Sequence, residues 1–471
     1  MFRLTVHTPS GVLEQMFSQT ICLSEALEAM GVYQSKPCGG HGKCGKCKVV
    51  MDGKEVLSCQ TQLTADVTVV YDPGNAYVQG ITEGAISHMT GGPILEEGYA
   101  LAVDIGTTTI AGYLYHFPEG KLVRSCALPN TQGEFGADVI CRIDYANRGG
   151  RKLLQQRLQE QIRALCGEVT PQKYVITGNT TMLHLLTGKD PKGIAVAPFT
   201  PESLFGYWRE NAYLAPCISA YVGADITTAI LASGMCDCKT ALLADIGTNA
   251  EMALWHNGRL VCCSAAAGPA FEGAGIHCGM PATDGAISRV WLEEGTLRYQ
   301  TIGNAPAAGI CGSGLLDAVA CMLELGVIGQ SGYLKEAYPL SDSGVFITPG
   351  DIRQVQLAKA AVRAGIETLL EICDVSPDQV EQLYLAGGFG SYLDIKSAVE
   401  IGLIPAPLEP VAKPVGNAAG NGAVMMLLGK DVIPAAQQLA SQAKTEELSS
   451  SRIFMEKYVE AMLFTDPEEE G

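Results

Sequence analysis

Four cysteines near the amino terminus have the spacing of a metal centre. Cys38, Cys44 and Cys47 lie in CGGHGKCGKC with five and then two residues between them, and Cys59 follows a hairpin that begins at Lys48. Converging thiolates bind soft metals. Gly39, Gly40, Gly42 and Gly45 keep the loop free of bulky side chains, so backbone N–H groups can lie against sulfur and stabilise its charge. Zinc sites also take four cysteines, but usually as two separated C-x2-C knuckles, and here only Cys44 and Cys47 form one. The spacing therefore favours iron and sulfur over zinc. His41 lies in the same loop, yet a Rieske centre would need a second histidine near Cys59, which is absent. The chain holds 17 cysteines, an odd number, which in a reducing compartment points to metal ligands and buried thiols rather than disulfides.

A second chemistry is written twice. ALAVDIGTTT, with Asp104, recurs as ALLADIGTNA, with Asp245, each an apolar strand running into a polar turn. Gly106, Thr107, Thr108 and Thr109 in the first turn, and Gly247, Thr248 and Asn249 in the second, offer donors to phosphate oxygens. Asp104 and Asp245, at the strand ends, can hold a metal-bound water or orient an attacking one, and are the expected catalytic residues. Two such turns facing each other would clamp a triphosphate. Gly387, Gly388, Gly390 and Ser391 form a glycine turn after a third strand, able to lie flat against a nucleoside. Gly312 and Ser313 open one helix and TGNTT, from Thr177, another, both starts suited to anions. Each motif alone is an ordinary turn; their order and duplication make the signal. No G-x-x-x-x-G-K-[ST] occurs, and no G-x-G-x-x-G follows a strand.

These residues need elements to position them. Residues 1–72 read as short strands around one helix: Arg3–His7, Val12–Phe17, a helix from Ser24 as N-cap to Met30 with Gly31 as its stop, then Lys48–Val50 and Val67–Tyr71. Residues 73–98, rich in Pro, Gly, Ser and Thr, predict a linker. Helical stretches at Lys152–Cys166, Thr180–Leu186, Gly314–Leu325 and Asp351–Cys373 then alternate with strands at Tyr174–Thr177 and Leu383–Ala386. That pattern predicts two similar α/β halves, 99–235 and 236–429. Residues 430–471 read as a solvated helical extension with a frayed acidic end, DPEEEG.

Composition narrows the function. With 47% hydrophobic and 17% charged residues among 471, the chain can bury cores in two or three domains. A net charge of −18 repels phosphate backbones and anionic lipid, so neither nucleic acid nor a membrane is an expected partner. No apolar run approaches the ~20 residues that span a bilayer, and MFRLTVHTPSG lacks the apolar stretch of a signal peptide, so a cytoplasmic location is expected.

The cysteine spacing resembles that of plant-type ferredoxins, and the resemblance implies an α+β, ferredoxin-like (β-grasp) domain holding a 2Fe-2S cluster on Cys38, Cys44, Cys47 and Cys59. The order of the two D-I-G-T turns and the G-G-F-G turn resembles the superfamily of actin, sugar and acetate kinases and heat-shock chaperones. Its members close a duplicated α/β, actin-like ATPase fold, here 99–429, on ATP and Mg2+. Taken together, the chain resembles the reductive activators of corrinoid proteins over nearly its whole length. Gly223-Ala-Asp225, the stretch from Ser264 to Gly273, Cys311 to Asp317, Gln356 to Lys359 and Leu385 to Gly390 also carry the likeness. Longer members have an additional domain between the ferredoxin and nucleotide parts, where this chain has only its linker.

That family implies ATP-dependent reductive activation. An electron from a reduced ferredoxin or flavodoxin-type donor would enter the cluster and pass to a corrinoid protein of a methyltransferase system, turning inactive Co(II) into Co(I). Plant-type clusters sit near roughly −400 mV, and each 59 mV uphill costs about 1.4 kcal/mol for one electron. ATP therefore has to enter the cycle. A homodimer is compatible with the resemblance. Two other classes compete: a metabolite kinase of the same superfamily with a redox-sensing ferredoxin attached, and an electron carrier with a degenerate nucleotide fold. Intact Asp104, Asp245 and glycine turns speak against the carrier, and the lack of a sugar-binding constellation speaks against the kinase. Two further stretches have two readings each. CCSAAAGPAFEGAG, from Cys262 to Gly275, either packs a hairpin tightly or faces the corrinoid partner, with Ser264 its first side-chain oxygen. Glu134 and Asp138 are either acidic catalytic groups or caps of the following helix.

Overall fold

The computed structural model describes residues 2–8, 11–30, 32, 47–70, 92–340 and 344–464. Near the amino terminus, strands Phe2–Thr8, Gly11–Phe17, Lys48–Met51, Lys54–Leu57 and Val67–Val70 form one sheet in the order second, first, fifth, third, fourth. Its central pair is parallel, with Leu4 beside Val67, and its outer pairs are antiparallel hairpins. Along the first strand Phe2, Leu4 and Val6 point inward while Arg3 and His7 face solvent, the period of two that a half-buried strand requires. Leu23, Ala26 and Leu27 of helix Leu23–Ala29 complete that core. Ser24, expected as the N-cap, lies inside this helix, which starts one residue earlier. Gly31 and Tyr71 fall outside the described residues.

Two larger sheets follow, and their strands run in the same order. In the first, Lys121–Pro129, Thr109–Phe117 and Gly98–Ile105 are antiparallel neighbours, and Lys173–Gly178 and Ala212–Leu214 continue in parallel. In the second, Arg259–Ala265, Ala250–His256 and Thr240–Ile246 are antiparallel, and Gln382–Ala386 and Ala412–Gly416 continue in parallel. The duplication seen in the two D-I-G-T turns is thus a duplication of topology. Each parallel strand is reached through helices, Arg151–Cys166 in the first half and Gly312–Glu324 and Pro349–Ile372 in the second. The expected helices and strands here agree with the structure to within a few residues at each end.

The carboxy-terminal part differs from the solvated extension that its composition predicts. Helix Ala418–Leu428 packs on the first sheet, where Ala423, Val424, Met426 and Leu427 share a core with Leu101, Val103 and Tyr113, and Val432 and Ala436 of the next helix join them. Lys444–Glu446 adds a parallel strand to the edge of the second sheet. Helix Arg452–Glu460 lies along Pro349–Ile372, and beyond it Phe464 is 1% exposed. Gln356 Nε2 donates to the Met462 carbonyl at 2.8 Å, and Lys359 Nζ donates to that of Leu463. Short strands and single anchoring residues leave little periodicity, which explains why residues 430–471 read as a solvated helical extension. The acidic end, 465–471, lies outside the described residues. Part of the expected linker is also structured, since Ile94 and Leu95 pack on the first core and Ile94 N donates to Leu427 O at 3.1 Å. Among the described residues no helix is long and apolar enough to cross a membrane.

Candidate functional site

Each D-I-G-T turn is a tight reversal between two buried strands. Gly106 N donates to Thr109 O at 2.9 Å in the first, and Gly247 N to Asn249 O at 3.1 Å in the second. Asp104 and Asp245 sit just before the turns and beside the end of the parallel strand, paired in register with Thr177 and Ala386. The residue after each partner is a glycine in a left-handed conformation, Gly178 with φ 147° and Gly387 with φ 86°. A side chain at Gly178 would run into Ile105 O at 2.6 Å, and one at Gly387 into Asp245 Oδ1 at 2.5 Å, so only glycine lets the backbone pass.

The surroundings of the two turns differ. Around the first, Asn130 Nδ2 donates to Gly106 O at 2.9 Å, Arg142 Nη2 to Thr107 O at 2.6 Å and Asn179 Nδ2 to Thr107 Oγ1 at 3.1 Å. Arg142 is 1% exposed and also donates to Gly136 O at 3.0 Å. Burial lowers its pKa to about 10, against the opposing charges of Asp138 and Glu272, so it stays a cation at neutral pH. Around the second turn the side chain is an acceptor: Glu272 Oε1 takes the Thr248 hydroxyl proton at 2.9 Å.

Between the turns carboxyl groups collect. Asp225, in the first turn of helix Ala224–Ser233, is pushed up to about 8, by burial first and then by the charges of Asp104 and Asp245. Asp245 rises to about 7 through burial, Asp104 and Glu272. Asp104 rises to about 6 through burial, with a hydrogen bond from Asn417 acting the other way. Glu251 is held well above the carboxylate range by burial, Asp225 and Asp245. Buried and half-buried carboxyls that raise one another in this way do not all ionise without a cation, and a divalent ion is the chemistry that would satisfy them. Turn donors on one side and carboxyls on the other fit a metal-bound polyphosphate.

Other expected residues are placed as follows. Gly387–Gly390 coils into one helical turn, with Gly388 exposed and Ser391 Oγ donating to Gly387 O at 2.6 Å. Gly312 and Ser313 are buried at the start of their helix, and the Ser313 hydroxyl donates to Ser288 O at 2.9 Å, so neither offers a free side-chain donor. Phe271 and Phe389 stack at 4.4 Å with ring planes 6° apart, joining the A-F-E-G turn to the G-G-F-G turn. Asp138 caps helix Val139–Tyr145, its carboxylate accepting from Cys141 N at 2.7 Å. In the Cys262–Gly275 stretch Cys262, Cys263, Ala265 and Ala267 are buried, which is the packing reading, while Ala266 is exposed.

Of the four expected metal ligands, Cys47 and Cys59 are described, and their sulfurs lie 3.1 Å apart. That is too long for a disulfide and close enough for both to reach one metal atom. Cys47 is buried, and burial raises its thiol pKa. Cys38 and Cys44 lie outside the described residues, as does His41. Among the described residues no group of three or more potential ligands surrounds a metal position.

Asp225, Glu251, Glu272, Arg142, Asn130 and Asn179 were not among the expected site residues. Asp225 and Glu272 stand inside stretches that carried the resemblance, and Asn179 inside TGNTT, so a signal existed for these three. Arg142 and Asn130 reach the first turn from scattered elements.

Comparison with known proteins identifies the family. A family model described as the C-terminal domain of RACo, the ASKHA domain, matches residues 239–470, and one for the RACo middle region matches 99–237. The carboxy-terminal part therefore has the actin-like ATPase fold. A corrinoid activation enzyme, RamQ, of Eubacterium limosum is 34% identical across 78% of this chain and 70% of that protein. A reductase of a Co(II) methylated amine-specific corrinoid protein from Methanosarcina barkeri is 25% identical across 73% of each. The solved structure of a reductive activator for a corrinoid, iron-sulfur protein superposes with a TM-score of 0.72 at 28% identity and covers 98% of both chains. The chain belongs to the RACo family of corrinoid-protein activators.

Proposed function

We propose that this protein reductively activates a corrinoid protein, using ATP to drive transfer of one electron that converts Co(II) to Co(I). The observation that carries this reading is the 98% two-way match with a solved reductive activator, supported by a named activation enzyme at 34% identity. The amino-terminal strand order, with its central parallel pair, supports a ferredoxin-like domain. A 2Fe-2S cluster on Cys38, Cys44, Cys47 and Cys59 would supply single electrons at low potential. The approach of Cys47 to Cys59 supports that ligand set.

In the nucleotide part the residues divide the work. Gly106 and Gly247 close the two turns with their own N–H groups, which leaves the hydroxyls and N–H groups of Thr107, Thr108, Thr109, Thr248 and Asn249 to bind phosphate oxygens, and Asp104 and Asp245 would hold Mg2+ and its water. The raised pKa values of Asp104 and Asp245 support this, because a dication would restore their charged forms. Gly388, the exposed residue of its turn, leaves room for the nucleoside. Closing two similar sheets on the nucleotide changes the surface shown to the partner, which is how binding energy can reach a distant redox step. The electron donor is a reduced ferredoxin or flavodoxin-type protein. The odd count of 17 cysteines, read as metal ligands and buried thiols, supports a reducing, cytoplasmic setting.

The test mixes anaerobically purified protein, a reductant and a Co(II) corrinoid protein, and follows the visible spectrum. Conversion to Co(I) should require MgATP. Conversion at the same rate without nucleotide would overturn the reading.

A further inference from the structure

Glu272 stands where the two phosphate turns meet. It ends the short turn Ala270–Glu272, whose backbone is fixed by the Phe271–Phe389 stack, and Gly273 follows with φ 77°. Its Oε1 accepts the Thr248 hydroxyl proton at 2.9 Å. Burial raises its pKa, and the Thr248 hydroxyl and N–H, the Thr108 hydroxyl and the Arg142 charge act the other way, in favour of the charged form. Its Oε2 is buried and has no hydrogen-bond partner. A carboxylate so placed takes the donors that a phosphate oxygen would take.

We propose that the Glu272 carboxylate holds the donors of both turns and competes with the phosphates of ATP for them, so that it sets nucleotide affinity. The inference rests on the reading that the two turns bind phosphate. A hydroxyl has one proton, so Thr248 cannot serve both acceptors. Two anions sharing these donors also repel, strongly so where water is excluded. With the backbone locked by the aromatic stack, the response is a rotation of the Glu272 side chain toward Arg142, whose charge receives it. Glu272 is thus an affinity-setting residue that acts through Thr108 and Thr248.

Steady-state ATP hydrolysis and isothermal titration with ADP, on the full chain purified anaerobically, test this. Glu272→Gln keeps the size and one acceptor oxygen and removes the charge. It should lower KM and the ADP dissociation constant about tenfold, the scale of a relieved like-charge contact, while kcat and the melting temperature stay near wild type. Thr248→Val should raise KM in a parallel measurement. If Glu272→Gln raises KM or leaves it unchanged while Thr248→Val raises it, the competition is wrong and the phosphate placement stands. If Thr248→Val and Thr108→Val both leave KM unchanged, the phosphates lie elsewhere and this proposal falls with that placement.

Discussion

The two D-I-G-T turns share a strand order, an aspartate and an adjoining left-handed glycine, but not their neighbours. The first is surrounded by donors from Asn130, Arg142 and Asn179, the second by the Glu272 acceptor and by glycine backbone. The duplicated scaffold fixes where the backbone reverses, while later elements decide the sign of the field at each reversal. A polyanion between the turns therefore meets an asymmetric clamp, buttressed by side-chain donors at the first turn and bonded directly to a carboxylate at the second.

The strongest way to break this comparison is at the aspartates. Asp104→Ala and Asp245→Ala should each lower ATP turnover by on the order of 100-fold, the scale of losing a positioned base or charge stabiliser. The double variant should lose little more, because the two act as a unit. Full additivity would mean that the two act independently, and parental rates in both single variants would remove the pair from the chemistry. The cluster spectrum should be unchanged throughout.

Arg142→Met sharpens the donor side. It leaves the buried carbonyl of Gly136 without its partner, at a cost of about 1–3 kcal/mol, and removes the bond to the half-buried Thr107 carbonyl. Chemical denaturation should show a larger loss than Thr248→Val, which removes one hydroxyl from the contested side. Equal losses would mean that the asymmetry has no energetic content.

The carboxyls between the turns give a smaller effect, visible in pH. Asp104, Asp245 and Asp225 have raised pKa values, about 6, 7 and 8, so the folded protein holds protons that the unfolded chain has released. Their contribution is present at low pH and is lost as pH climbs through 6 to 8. The melting temperature of nucleotide-free protein should fall across that window, and Asp225→Asn should flatten the slope. A wild-type curve already flat from pH 6 to 8 would contradict the crowding.

The smallest change is expected from Ala266→Trp, at the exposed position of an otherwise buried stretch. Stability should stay within about 0.5 kcal/mol of the parent, as for other surface positions. Weakened capture of a Co(II) corrinoid protein would place the stretch at the interface, and normal capture would remove it.

The scaffold was legible because its signals are local. A strand that ends in Asp-Ile-Gly-Thr announces both the turn and the residue that faces the site, and the duplication announces the second half. The clamp's asymmetry was not legible. Arg142 looks like any helical arginine until the fold brings it under Thr107, and Glu272 sits among alanines and glycines that advertise packing. The carboxy-terminal segment misled for a related reason: Lys444–Glu446 is too short and too charged to show a strand's alternation, and Phe464 is one aromatic anchor among polar neighbours.

Helix Ala418–Leu428 belongs to the core of the first sheet although the second sheet lies between them in the chain. The consequence is temporal. Chains are made from the amino terminus, and units generally fold as they emerge. Here the first sheet leaves the ribosome without the surface that covers it, and its apolar face stays open until nearly the whole protein has been synthesised. A chain that stops short of residue 418 therefore leaves part of the first core uncovered.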